Sequence, residues 1–108
     1  MRYHHIGIPT SEPKPGEIFL EKYKIWCTDH ERNPFGIQWM RYAAGCPFPE
    51  IVKTRPHVAF EVDDLQAALA GQEIIIAPNS PSDGVLVAFI CVEGAPVELL
   101  QVTPVNRR

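Results

Sequence analysis

At 108 residues, with 45% apolar residues and a net charge of −3 from 10 basic and 13 acidic side chains, the chain has the makings of one core and one domain over residues 1–108. The mildly acidic balance, with no basic run longer than Arg107-Arg108, argues against nucleic acid or an anionic membrane as a partner. No apolar run approaches the ~20 residues of a membrane helix and Met1-Arg2-Tyr3-His4-His5 carries no apolar signal region, so a cytoplasmic protein is expected.

Residues 3–8 alternate as a strand, with Ile6 and Ile8 on one face and Tyr3, His5 and Gly7 on the other. Pro9 ends it, and residues 10–16, with Pro13, Pro15 and Gly16, form a loop with no helix. Residues 17–28 are rich in strand formers (Ile18, Phe19, Tyr23, Ile25, Trp26, Thr28) and fit one long strand or two short ones. A polar stretch follows, closing on the turn Asn33-Pro34-Phe35-Gly36, and a strand runs from Ile37 to about Ala43. Residues 45–56, with Pro47, Pro49 and Pro56, read as a linker between two halves.

In the second half, Val58, Phe60 and Val62 alternate with His57, Ala59 and Glu61, which places a histidine at the start of a strand on the face opposite the apolar one. The period then becomes helical. Asp63 and Gln66 read as a capping box, Leu65, Ala68 and Leu69 as the apolar stripe, and Gly71 as the stop. A strand over residues 73–77, a turn over 78–84, and strands over 85–92 and 97–102 complete the pattern, with residues 103–108 as a frayed tail. The three cysteines, Cys27, Cys46 and Cys91, lack disulfide or zinc-ribbon spacing and are expected as reduced thiols, with Cys27 and Cys91, inside strand-like runs, as small core residues.

The halves repeat. His5-Ile6-Gly7-Ile8 and His57-Val58-Ala59-Phe60 share one pattern at an offset of 52 (57 − 5), and Ile37-Gln38-Trp39-Met40 and Val97-Glu98-Leu99-Leu100 share another at 60 (98 − 38). The second copy is longer by about the length of its helix, which the first copy lacks. Strand parity puts His5, His57, Glu98 and Gln38 opposite the apolar face, where all four can look into one cavity. Singly, each has an ordinary alternative: a strand-opening histidine is commonly a surface residue, and a glutamate or glutamine in an alternating strand commonly points to solvent. Recurrence at matched positions is what joins them. Two neutral imidazoles and a carboxylate form a first shell for a divalent metal, with the Gln38 amide oxygen as a weaker fourth donor.

His4-His5-Ile6-Gly7-Ile8, the segment from His57 to Leu65 and Pro96-Val97-Glu98-Leu99-Leu100 resemble the corresponding strands of the vicinal oxygen chelate superfamily, the glyoxalase, bleomycin-resistance and extradiol-dioxygenase group. The resemblance implies an α+β fold of two βαβββ-type modules, here about residues 1–46 and 56–103 with the first lacking its helix, curled into a half-barrel around a central cavity. It implies His5, His57 and Glu98 as ligands of a divalent metal (Zn, Ni, Mn or Fe), with Gln38 where relatives carry a Glu or Gln ligand. The turn before the last strand, Val92-Glu93-Gly94-Ala95-Pro96, departs from the family sequence but keeps turn chemistry.

The implied activity is that of a metal-dependent lyase or isomerase acting on a small oxygen-chelating substrate through an enediolate, with Glu98 doubling as the catalytic base. Two alternatives stand beside it: an extradiol-type dioxygenase using ferrous iron, and a drug-binding protein with a dimer groove lined by Trp26, Trp39 and Phe89. Parity also brings Tyr3, Tyr42 and Glu61 toward the pocket, whereas it turns Arg41 and His4 away and leaves His30 exposed in its polar turn. A curled half-barrel exposes strand edges, so a homodimer is expected.

Overall fold

In the computed structural model, which describes residues 1–103, the two copies of the repeat are joined in one eight-stranded sheet curled into a half-barrel. The first copy supplies β1 (Arg2–Pro9), β2 (Ile18–Leu20), β3 (Ile25–Cys27) and β4 (Ile37–Tyr42), with a 3-10 turn at His30–Arg32. The linker carries helix α1 (Glu50–Thr54), and the second copy supplies β5 (His57–Glu61), helix α2 (Leu65–Leu69), β6 (Glu73–Ser82), β7 (Val85–Val92) and β8 (Ala95–Val102). The strand order, β2-β3-β4-β1-β5-β8-β7-β6, reads the same from either end once the copies are equated.

The register fixes that symmetry residue by residue. β1 and β5 are antiparallel with Ile6 opposite Val58, the two positions that the offset of 52 equates, so a pseudo-two-fold axis passes between them. β4 runs parallel to β1 with Gln38 beside Gly7, and β8 runs parallel to β5 with Glu98 beside Ala59. Both offsets read from the sequence are therefore met in one register.

Two faces follow from the alternation. Leu99 and Val97 pack outward with Leu65 and Leu69 of α2, Val62, Ala88 and Ile90, while Glu98 and Leu100 turn inward. In the first copy no helix covers the sheet, and Ile25, Cys27, Met40 and Cys46 pack with Tyr23, Tyr42 and Phe48. Cys27 and Cys46 are free, buried thiols in that cluster, the first as its strand-like surroundings anticipated, whereas Cys91, expected in the core on the same ground, is only partly buried.

The strand-rich stretch at 17–28 takes the second of the two forms its composition allows, two short strands, broken where Lys24 adopts a positive φ of 56°. Other elements depart from the sequence reading. The linker is partly helical: Pro49 starts α1, Val52 is fully buried, and the Thr54 hydroxyl bonds back to Glu50 O at 2.7 Å. The cap of α2 is Asp64, whose carboxylate accepts from Ala67 N at 3.2 Å, while Asp63 is drawn to Arg2 at the surface; Gln66 completes no capping box. The expected stop at Gly71 is met by its φ of 76°.

β6 runs through the segment expected to turn, leaving only Asp83-Gly84 as the bend. An edge strand tolerates Pro78 and Pro81 because one side of its backbone has no partner, and three register irregularities absorb the misfit. The unusual turn before β8 is a tight hairpin with Glu93 and Gly94 both at positive φ (52° and 83°). The expected tail at residues 104–108 lies outside the described residues, while Thr103 N is held by Gly84 O at 2.7 Å. No described helix is long and apolar enough to cross a membrane.

The cap assignment is checked by chemical denaturation. Asp64→Ala is expected to cost about 1 kcal/mol, and Asp63→Ala, which removes only an exposed ion pair, less than about half of that.

Candidate metal centre

Three of the four donors named from the sequence converge. The register carries His5 and His57 on adjacent antiparallel strands and Glu98 on the strand beside His57. Glu98 Oε1 lies 3.0 Å from His57 Nε2 and 3.3 Å from His5 Nε2, and one ligand atom from each residue falls within 4.8 Å of the other two. All three are buried, with relative exposures of 5% for His5, 2% for His57 and 8% for Glu98.

The small residues between the donors make this possible. An added Cβ at Gly7 would fall 2.7 Å from His57 Nε2 and 2.8 Å from Nδ1, closer than any side chain tolerates, so the imidazole lies directly over the glycine. Phe89, opposite Glu98 across β7 and β8, meets the other side of that ring edge-on with centroids 4.9 Å apart. His57 is thereby wedged by packing, and its Nδ1 has no hydrogen-bond partner among the described residues.

Electrostatics favours an ionised carboxylate. Burial raises the Glu98 pKa, but hydrogen bonds from His5 and His57 and their charges act the other way and hold it at about 2. Both imidazole contacts use Oε1, which leaves Oε2 for a further partner. His5 and Glu98 line a cavity of about 330 Å³ whose walls are largely apolar, with Phe48, Phe89, Met40, Ile76 and Leu100 prominent, while His57 contacts Glu98 from outside that lining. Among the described residues, no lysine or arginine lines it.

Gln38 lines the same cavity at the position symmetric with Glu98. Its Nε2 donates to Thr28 O at 3.1 Å, so its carbonyl oxygen is the uncommitted end of the amide. Tyr42 keeps the expected face but packs against Phe48, 6.3 Å between centroids, with its hydroxyl buried and without a partner among the described residues and its pKa raised by burial. Glu61 ends its strand in an ion pair with Arg2 at 3.2 Å, away from the cavity lining.

Tyr3 is half exposed, stacks edge-on against Phe60 of the outer face and donates its hydroxyl to Phe35 O at 2.7 Å. A β-bulge explains the switch: Tyr3 is opposite Phe60 but His5 is opposite Ala59, so one extra residue on β1 inverts the parity between them. That residue is His4, which sequence parity turned away and which the structure brings into the cavity lining, its Nδ1 2.7 Å from His5 Nδ1. His30 joins it, its ring 4.5 Å from that of His4, because Asp29 caps the 3-10 turn and aims it inward. Burial, with His5 and His30 nearby, lowers the His4 pKa. The adjacent His4-His5 pair was the only signal in the chain for this. Trp26 and Trp39 lie on the opposite face, under Arg41 and Lys14, while Phe89 lines the cavity.

Known proteins speak to the fold. The chain is similar to a solved structure described as a hypothetical protein from Bacillus halodurans C-125, at TM-score 0.70 and 16% identity over 99% of this chain and 98% of that one. At that identity the likeness establishes a shared architecture. No protein-family model matches, and no curated protein matches.

Two measurements probe the site without any ligand. Gly7→Ala is expected to cost about 1–3 kcal/mol in denaturant unfolding, as overpacking against a wedged ring does. A carboxylate at about 2 when folded and near its ordinary 4.5 when unfolded stabilises the fold above pH 4.5, and that contribution vanishes as pH falls toward 2. The metal-free protein should therefore lose on the order of 3 kcal/mol across that window, a component absent from the pH profile of Glu98→Gln.

Proposed function

We propose that this chain is a metal-dependent lyase or isomerase of the vicinal oxygen chelate kind, acting on a small substrate with two adjacent oxygens. The observation that carries the reading is one buried carboxylate gripped by imidazoles from both halves of the repeat, beside a cavity.

The donors fit a divalent ion. Nitrogen and oxygen ligands at about 2.1 Å with tetrahedral angles lie roughly 3.4 Å apart, and the three ligand atoms already lie within 4.8 Å of one another, so small side-chain rotations suffice. His5, His57 and Glu98 would hold the ion, with the Gln38 carbonyl oxygen as a fourth donor whose amide nitrogen is anchored on Thr28. When bound, a divalent ion supplies Lewis acidity, polarising a substrate carbonyl.

The rest falls to the chain. The apolar walls formed by Phe48, Phe89 and Met40 exclude water and seat the body of the substrate, and Glu98 moves the proton through Oε2. The two-histidine, one-carboxylate set equally suits ferrous iron in an extradiol-type dioxygenase, which makes that chemistry the second reading. Screening the metal-loaded protein with hemithioacetals of 2-oxoaldehydes, acyl-CoA epimers and catechols separates the two.

Metal binding itself is the first test. Protein purified without chelators should carry metal, or take up Zn, Ni, Mn or Fe with a rise in Tm, since an ion at a hundred times its Kd adds about 2.7 kcal/mol. His57→Ala should abolish the uptake and the Tm rise while the apoprotein keeps its circular dichroism. Stoichiometric metal in that variant would refute the assignment.

A further inference from the structure

We propose that His4 is a positioning residue for the metal centre: once an ion takes His5 Nε2, in place of the proton that this nitrogen donates to Glu98 in the metal-free protein, His4 Nδ1 accepts a hydrogen bond from His5 Nδ1–H and holds the ring with Nε2 toward the ion. The inference rests on the metal-binding reading above and adds to it a role for a residue that strand periodicity assigns to the other face.

Three features of the structure converge on it. The bulge in β1 makes His4 the one residue between Tyr3 and His5 with no partner across the pair with β5, which turns consecutive histidines toward one cavity. Their Nδ1 atoms are 2.7 Å apart, a separation that two N–H groups cannot share, so one nitrogen carries the proton and the other a bare lone pair. The His30 ring packs on the His4 imidazole, with centroids 4.5 Å apart.

The chemistry decides the direction of the bond. His5 Nε2 is the nitrogen aimed at Glu98 Oε1 and at the candidate site, so a metal there takes the Nε2 lone pair and leaves the His5 proton on Nδ1. His4 must then offer a bare Nδ1 and carry its own proton on Nε2. Metal-ligating histidines generally have their second nitrogen fixed by a carboxylate, a carbonyl or water, and here another imidazole serves. His57 differs: its Nδ1 has no partner among the described residues, and packing against Gly7 and Phe89 orients it instead. The two halves of the repeat hold equivalent ligands by different physics.

The test uses the full chain and zinc. His4→Leu, which removes the acceptor, should weaken zinc binding 10–100-fold in competition with a chromophoric chelator, and His4→Gln, whose carbonyl oxygen can accept the same bond, should recover most of that loss. Imidazole nitrogen NMR of the zinc-loaded wild type should place the protons on His5 Nδ1 and His4 Nε2, a signature that a purely structural role for His4 would not produce. Zinc affinity in a folded His4→Leu within about threefold of wild type would overturn the proposal, as would a spectrum with the proton on His4 Nδ1. If His4→Leu fails to fold, the wild-type spectrum decides alone. A wild type that binds no zinc would instead sink the metal-binding reading itself.

Discussion

A buried carboxylate shared by two imidazoles is the interaction around which this molecule is arranged. Taking Glu98 out of water carries a penalty of several kcal/mol, and an unpaired buried charge is costlier than the pair it leaves. The two contacts at 3.0 and 3.3 Å offset that penalty only while β1, β5 and β8 stay in register. Electrostatic satisfaction and strand pairing are one constraint: a single-residue slip of β8 against β5 would send Glu98 into the outer cluster around α2 and Leu99 into the cavity.

Symmetry explains why the donors meet at all. The axis between Ile6 and Val58 brings the start of β5 alongside the middle of β1, so residues 52 apart become neighbours across one pair of strands. Small residues at the equivalent positions Gly7 and Ala59 leave room above the sheet, and at Gly7 the His57 ring occupies it. What the copies do not share is as informative. The second covers its outer face with α2, while the first spends no residues on a helix and gains wall material from the linker, where Phe48 bridges Tyr23, Tyr42 and Phe89. Phe89 stands opposite Glu98 and Phe48 against Phe89, so an apolar wall climbs from the donors themselves.

The chain's own pattern determined a good deal. Alternation in residues 3–8 and 57–62, the helical switch after Val62, and the matched offsets of 52 and 60 specify the repeat, the missing first helix and the inward parity of His5, His57, Glu98 and Gln38, because side-chain period and strand pairing are local and countable. Tertiary structure decided the rest where one residue too many or a long-range contact intervened. A bulge at His4 inverted Tyr3 and recruited His4, a capped 3-10 turn aimed His30 inward, and Arg2, distant in sequence, claimed Glu61 and Asp63. Periodicity counts residues without seeing which of them the partner strand fails to match, and that mismatch is set by pairing across the sheet rather than by the strand itself.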